Sequence, residues 1–307
     1  MRKVLPQGCG VALVTPFDDA GQLDREALRG LVEHVIAGGV AFIVALGTTG
    51  EAVSQSRTEC LEVMRLIHDY AAGRVPLVAG PFGGSDTAGV VERFRGYRDV
   101  LELPGYVAAM SSVPGYVKPS QQGIYEHFMH LVEHSPLPLL LYNVPSRTGA
   151  HMTAATTLRL ANASERFCGV KEASGLLPEA MLLLRERPAG FQVFSGDDTT
   201  ALPLIACGGD GVVSVVANAY PEAFASMARA ALAGDLRQAR RHNDGLLDLH
   251  PLLYVDGNPP GIKAVLRQLG LCGDAVRLPL APVSATTREQ LIAQVLGQAV
   301  LSAPGIA

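Results

Sequence analysis

Lys171 is the residue of this chain with the clearest potential for covalent chemistry. It follows the apolar residues 167–170 (FCGV), so its amine would lie at the edge of a dry interior. Exclusion of water favours the neutral amine, which can attack a ketone carbonyl to form a Schiff base. A lysine at a strand end can equally extend its ammonium into solvent, and position alone does not separate the two roles.

Tyr142 and the segment 47–50 (GTTG) could support such a reaction. Schiff-base formation needs proton transfers, and a well-placed phenol can carry the proton. Tyr142 could instead be a packed aromatic whose hydroxyl is satisfied. Two glycines and two hydroxyls in one turn are typical of an anion-binding loop that would suit a substrate carboxylate. An ordinary strand-to-helix turn has the same composition.

Three histidines offer a metal-binding alternative. His127, His130 and His134 share one face of a predicted helix, and metal sites can have this spacing. This helix would belong to the outer ring of the fold, so we expect a packing or surface role for the three side chains. We expect no metal site and no cofactor.

The elements that position these residues are eight short, apolar, β-rich runs. Continuous apolarity is typical of parallel strands buried on both faces. Amphipathic stretches with helix-start residues such as Asp24, Ser56 and Ser120 lie between them. Eight strand–helix units predict a closed (β/α)8 TIM barrel. The runs cover residues 10–15, 41–47, 76–80, 106–110, 137–143, 167–171, 192–196 and 211–215.

The chain continues beyond the eighth unit. We expect residues 1–234 to form the barrel and residues 235–307 to form a C-terminal helical region, with predicted helices over residues 235–249, 260–269 and 286–296. Active sites of such barrels lie at the carboxyl ends of the strands. Polar segments follow four of the predicted strands and would therefore share one rim. They are 47–51 (GTTGE), 142–149 (YNVPSRTG), 171–173 (KEA) and 195–198 (SGDD).

Composition excludes several classes of protein. The formal charge is −4, from 29 acidic and 25 basic residues, without a basic stripe, so nucleic acid is not an expected partner. Five scattered cysteines without a C-x-x-C pair fit a reducing compartment. Apolar runs are shorter than the roughly 18 residues of a membrane span. We expect a soluble, cytoplasmic protein that does not bind membranes.

The rim segments, followed by 211–218 (GVVSVVAN) and 257–260 (GNPP), resemble the dihydrodipicolinate synthase / N-acetylneuraminate lyase family. The resemblance spans nearly the whole chain, with the segments in the same order. It implies a Schiff-base-forming lyase on a barrel with a C-terminal helical region. It also implies a homotetramer built as a dimer of dimers.

The resemblance assigns four catalytic residues. Lys171 would carry pyruvate as a Schiff base, and Tyr142 would donate and accept protons. Thr48 would link Tyr142 to Tyr116 in a proton relay. In the family the residue matching Tyr116 reaches into the active site of a neighbouring subunit.

The resemblance also assigns four substrate-binding residues. Thr49 would hold the pyruvate carboxylate, the Val213 carbonyl would face the site, and Gly196 belongs to the same group. Arg147 resembles the arginine of the synthase branch, which meets the carboxylate of aspartate 4-semialdehyde in lysine and diaminopimelate biosynthesis. A guanidinium binds a carboxylate through two hydrogen bonds, which gives this assignment a physical reason.

Three other functions stay open at this point. One is a different pyruvate-dependent aldolase of the same family that acts on a sugar acid, against which Arg147 argues. Another is a non-catalytic homologue that binds a 2-keto acid, against which retention of the catalytic residues argues. The third is a metal-dependent aldolase, which would need histidines on the rim.

The chain departs from the family pattern around Tyr116. The usual Pro-Tyr-Tyr-Asn is replaced by residues 114–117 (PGYV), so that Gly115 and Val117 stand for an aromatic and an amide. Many synthases of the family are inhibited by L-lysine at a dimer interface. The corresponding positions here lack the carboxylate and phenol that would bind lysine, so we predict a lysine-insensitive enzyme. These positions are Ala52, Val53, Arg57, Cys60, Gly84, Ala88 and Gly115.

Overall fold

Eight parallel strands form a closed barrel in which each strand pairs with the next and β8 pairs with β1. The computed structural model describes residues 5–80 and 82–301, with side chains described up to residue 297. The predicted fold class is confirmed. The strands are β1 (Gly8–Ala12), β2 (Phe42–Ala45), β3 (Leu77–Ala79), β4 (Tyr106–Ser112), β5 (Leu139–Asn143), β6 (Phe167–Glu172), β7 (Gln192–Ser195) and β8 (Gly211–Ser214).

Helices follow the strands and continue past the barrel. Three 3-10 turns, Thr48–Gly50, Ala52–Ser54 and Val216–Asn218, occupy the rim. The α-helices of the described residues are α1 (Arg25–Ala37), α2 (Arg57–Ala71), α3 (Thr87–Gly96), α4 (Arg98–Leu101), α5 (Gln121–His134), α6 (Pro145–Thr148), α7 (Ala154–Ala163), α8 (Leu177–Glu186), α9 (Ala201–Ala206), α10 (Pro221–Leu232), α11 (Leu236–Asp244), α12 (Leu249–Leu252), α13 (Pro260–Gln268) and α14 (Ala285–Leu301).

The helix-start residues predicted from the sequence cap their helices. Asp24 accepts a hydrogen bond from the Ala27 amide at the start of α1. Ser56 and Glu59 form a reciprocal capping box at the start of α2. Ser120 accepts from the Gly123 amide at the start of α5. Each cap satisfies an amide that has no partner within its helix, and each of these helices begins directly after its predicted start residue.

Apolar side chains form two layers. One large cluster of helix and outward-facing strand residues surrounds the barrel, and a smaller cluster fills its interior. In the interior, the Phe42 and Phe194 rings meet edge to face, with centroids 5.4 Å apart. Val213 and Tyr142 belong to the same inner cluster. The barrel interior is therefore a packed core, and ligands of such barrels bind at the carboxyl-end rim.

The C-terminal region differs from its prediction in one helix. A single helix over residues 235–249 was expected, but α11 ends at Asp244 and the short α12 begins at Leu249. Gly245, which has a poor helix propensity, follows directly after α11. Helix α11 packs against α10, and the domain boundary at residue 234 stays a prediction. Within the described residues, no helix has both the length and the apolarity to span a bilayer.

Candidate active site

Lys171 and Tyr142 are direct neighbours across two paired strands. Tyr142 of β5 is in register with Lys171 of β6, which is in register with Phe194 of β7. The Lys171 Nζ atom lies 4.4 Å from the centroid of the Tyr142 ring. Both residues are buried, with 4% and 7% of their surface exposed. The amine of Lys171 therefore lies beside the ring of Tyr142 at a buried strand end, as the sequence predicts.

The segment 47–50 forms a rigid turn. Thr48 is exposed at its tip, while Thr49 is buried. The Gly50 carbonyl accepts hydrogen bonds of 2.7 Å from Thr15 Oγ1 and from Gln55 Nε2. These two buried or half-buried donors hold the end of the turn, and Thr48 at its tip lines the rim.

The turn 47–50 can lie close to the end of β3 because residue 80 is a glycine. A Cβ atom on Gly80 would lie 2.6 Å from the Gly47 nitrogen and 2.8 Å from the Ala45 carbonyl oxygen. Backbone cannot move as a flexible side chain can, so any larger residue at this position would displace the turn.

Tyr116 projects from a strained loop after β4. Its φ of 67° is left-handed, a conformation that costs a non-glycine residue free energy and often marks functional sites. Hydrogen bonds from the Gly115 amide to the Gly84 carbonyl and from the Tyr116 amide to the Thr148 carbonyl hold the loop. The Tyr116 side chain is 90% exposed. The loop thus presents a large aromatic side chain to solvent.

A cavity of about 920 Å³ opens at the rim and brings several predicted residues together. Thr48, Tyr116, Tyr142 and Arg147 line it. Arg147 lies on α6, the short helix that directly follows the end of β5, and is exposed. This volume suits a ligand of several carbon atoms, and the Arg147 guanidinium and the Tyr142 phenol are among the polar groups that line it.

Four predicted residues lie behind this cavity rather than on its wall. Lys171, Thr49 and Val213 are buried, and Gly196 lies beside the Lys171 side chain. Lys171 contacts the ring of Tyr142, which itself lines the cavity. The arrangement places the amine in a drier environment than the hydroxyls at the rim.

Two acidic residues of the rim motifs support the backbone. Glu172, next to Lys171, accepts hydrogen bonds from Asn143 Nδ2 at 2.9 Å and from the Ser174 amide at 2.7 Å. Asp198 is buried and accepts from the amides of Val215 and Val216 at the end of β8. Burial raises the pKa of the Asp198 carboxyl. These bonds join β5 to β6 and β7 to β8, so both carboxylates fix strand ends.

Sequence reasoning missed three residues of the C-terminal region that reach the site. Asn258 Nδ2 lies 3.0 Å from Thr49 Oγ1, and Lys263 is ion-paired with Glu51. Burial raises the pKa of the Tyr254 phenol, and the nearby charges of Asp198 and Asp197 act in the same direction. The segment 257–260 was recognised as a family motif, which is the only signal that pointed to Asn258.

The three histidines of α5 do not converge. His127 is buried, and its Nδ1 lies 2.9 Å from Thr87 Oγ1. His130 and His134 are exposed, and their ligand atoms lie within 4.8 Å of a Glu133 oxygen. Helix α5 belongs to the outer ring, so this exposed group is remote from the rim cavity.

The comparisons with known proteins agree with this geometry. The model of the Dihydrodipicolinate synthetase family matches residues 5–298. The chain belongs to this family. The family resemblance inferred from the rim motifs is thereby confirmed.

Curated and solved relatives carry the same name. The 4-hydroxy-tetrahydrodipicolinate synthase of Leptothrix cholodnii is 46% identical over 91% of this chain and 93% of its own. The chloride-inhibited dihydrodipicolinate synthase of Acinetobacter baumannii, solved with pyruvate, is 37% identical, with a TM-score of 0.91 over 96% of this chain and 99% of its own. The lysine-bound enzyme of Cyanidioschyzon merolae is 34% identical, with a TM-score of 0.89 over 97% and 100%. The predicted assignment to the synthase branch and to an enzyme is confirmed.

Proposed function

We propose that this chain condenses pyruvate with aspartate 4-semialdehyde through a Schiff base on Lys171. The observation that carries the proposal is the buried Lys171 amine, 4.4 Å from the Tyr142 ring and beside a cavity with a cationic wall. The amine would attack the keto carbon of pyruvate, and water would leave. Loss of a methyl proton would give an enamine, whose carbon would attack the aldehyde.

In our proposal Tyr142 and Thr48 carry the proton transfers that this reaction needs. Both line the cavity, and Tyr142 also contacts the amine that must lose and regain protons. Water formation from the carbinolamine requires a general acid, and enamine formation requires a base. In our proposal the Tyr142 phenol serves as both, and Thr48 connects it to Tyr116.

The substrate-binding roles follow from charge and position. Thr49 would donate a hydrogen bond to the pyruvate carboxylate, and the Val213 carbonyl and Gly196 would border the bound keto acid. Arg147, exposed on the cavity wall, would hold the carboxylate of the second substrate. An aldehyde that carries a carboxylate fits this cation better than a neutral sugar does.

We also propose that Tyr116 completes the site of a second subunit. Val53, Tyr116 and Val117 are 100%, 90% and 57% exposed. Burying such apolar area against another copy would be favourable. This supports a dimer as the functional unit, while the proposal of a dimer of dimers rests on the family resemblance alone.

Borohydride trapping tests the covalent step. Incubation with pyruvate and borohydride should leave a stable adduct on Lys171, identified by mass spectrometry of the peptide. Chelators should not change turnover with aspartate 4-semialdehyde. An adduct on another lysine, or loss of activity with a chelator, would overturn the mechanism.

Subunit mixing tests the role of Tyr116. Lys171→Ala and Tyr116→Phe subunits should each be impaired alone. If Tyr116 acts across the interface, mixing them creates some sites with both native residues, and activity should rise above the sum of the two variants. No recovery in verified mixed oligomers would place Tyr116 in its own subunit's site.

A further inference from the structure

Two buried polar side chains of the C-terminal region meet the back of the 47–51 turn. Asn258 contacts Thr49, and Lys263 contacts Glu51, although 209 and 212 residues separate the partners. The side chains of Lys263 and Glu51 are fully buried, and Asn258 and Thr49 are 6% and 2% exposed. The turn that faces the site is therefore held from behind by residues outside the barrel strands.

The Asn258 contact makes the Thr49 hydroxyl oxygen a hydrogen-bond acceptor. Asn258 Nδ2 lies 3.0 Å from Thr49 Oγ1, and an amide nitrogen can only donate. The Thr49 oxygen is therefore the acceptor, and the single hydroxyl hydrogen is left for another acceptor. A carboxylate at the rim is a charged acceptor, and hydrogen bonds to charged groups are stronger than neutral ones.

The ion pair fixes the backbone on which this hydroxyl is mounted. Lys263 Nζ lies 2.5 Å from Glu51 Oε1 and 2.8 Å from the Ala275 carbonyl oxygen. Glu51 Oε2 accepts a hydrogen bond from the Arg277 amide at 3.0 Å. Glu51 has a left-handed φ of 54° between two 3-10 turns. Both carboxylate oxygens of the buried Glu51 have hydrogen-bond partners, so this bend of the backbone is fixed and Thr49 has little freedom to shift.

We infer that Asn258 is a positioning residue that acts through Thr49 and selects substrates bearing a carboxylate next to the ketone. Asn258 keeps the Thr49 hydroxyl as a donor toward the site, and the Glu51–Lys263 pair keeps the turn in place. The inference rests on the proposed function, because it takes pyruvate as the compound bound at Lys171. It adds a residue of the C-terminal region to those that determine specificity.

A double-mutant cycle with two ketones tests this. Borohydride trapping is measured as a function of pyruvate and, separately, of acetone, which lacks the carboxylate. Asn258→Asp would accept the Thr49 hydrogen and place a negative charge behind it. The half-saturating pyruvate concentration should rise about 10- to 100-fold, while trapping of acetone should change less than threefold. Asn258→Ala should show a smaller effect in the same direction.

The Thr49→Val background decides whether Asn258 acts through Thr49. In that background, Asn258→Ala should have no further effect on pyruvate, since the hydroxyl it orients is gone. Asn243→Ala removes another buried amide of the C-terminal region and serves as the matched control. Thermal unfolding of each variant shows whether the fold is intact.

The outcomes separate this inference from the proposed function. If the native protein formed no Lys171 adduct with pyruvate, the proposed function itself would be refuted. A native adduct, together with equal losses for pyruvate and acetone in the folded Asn258 variants, would overturn the inference alone. So would additive effects of Asn258→Ala and Thr49→Val.

Discussion

Gly196 packs directly against Lys171. A Cβ atom on Gly196 would lie 3.0 Å from Lys171 Cγ and 3.1 Å from Lys171 Cε, and 2.6 Å from Ala173 Cβ. The absence of a side chain at the end of β7 is therefore what allows the Lys171 side chain to lie across it. Gly196, which we predict to border the substrate, therefore also leaves the space that the Lys171 side chain occupies.

Gly196→Ala should lower the rate of Schiff-base formation at least tenfold, because the added methyl group displaces the lysine from its position near Tyr142. The measurement is the rate of borohydride trapping with saturating pyruvate. Gly30→Ala, on helix α1 where an added Cβ meets nothing within 4 Å, is the control and should retain the native rate. A native trapping rate in Gly196→Ala would mean that the lysine tolerates the methyl group.

Tyr142→Phe should lower kcat by roughly 10²- to 10⁴-fold, the usual loss for a general acid–base group. The phenylalanine ring preserves the contact with Lys171, so pyruvate should still bind. The assay compares steady-state turnover with equilibrium binding of pyruvate. Near-native turnover in the folded variant would assign the proton transfers to another group.

Arg147→Ala should raise the KM for aspartate 4-semialdehyde about 10- to 100-fold and leave the KM for pyruvate nearly unchanged. A charge-assisted hydrogen-bond pair contributes roughly 1.5–3 kcal/mol. Arg159→Ala removes an exposed arginine from the outer helix α7 and controls for net charge. N-acetylmannosamine as a better acceptor than aspartate 4-semialdehyde would refute the choice of second substrate.

L-Lysine should not inhibit this enzyme. Ala52, Arg57 and Gly84 line the rim cavity where the family's lysine site would be. A Cβ atom on Gly84 would lie 2.5 Å from Arg93 Nη2, so a second guanidinium occupies this region. The two cations repel an ammonium, and the one carboxylate among the described residues that line the cavity, Glu92, is already paired with Arg95. A buried charge without a partner is unfavourable.

The test of lysine sensitivity is the initial rate against L-lysine at saturating and subsaturating pyruvate. Unchanged rates at physiological lysine concentrations are expected. Strong partial inhibition would show that other residues rebuild the site.

The stability of the protein should fall below pH 6.5 partly because of His127. Burial lowers the pKa of the His127 imidazole from 6.5 to about 4. The unfolded chain then binds a proton that the folded protein does not, so stability is full above pH 6.5 and decreases as the pH falls toward 4. The contribution of this group is on the order of 3 kcal/mol over the window.

Urea unfolding as a function of pH measures this effect. His127→Gln should flatten the profile between pH 6.5 and 4, whereas the matched change His134→Gln, at an exposed position on the same helix, should not. Parallel profiles for the native protein and His127→Gln would exclude His127 as the cause.

The sequence by itself determined the barrel and its rim. Eight apolar runs separated by capped amphipathic segments specify strands and helices locally, because burial and capping depend on neighbouring residues. Lys171, Tyr142 and the 47–50 turn lie at the ends of these runs. Because active sites of such barrels lie at the carboxyl ends of the strands, the sequence predicts that the three share one rim. The break of the predicted helix 235–249 shows the limit of this periodicity.

Only the tertiary structure decided which side chains stand behind that rim. The contacts of Asn258 with Thr49 and of Lys263 with Glu51 join residues more than 200 positions apart. Gly196 likewise owes its importance to a side chain on another strand. A single buried amide or lysine has no periodic pattern in the sequence, and its partner is set by how the C-terminal helices pack against the barrel. The supporting contacts of the site therefore emerge only from the packed structure.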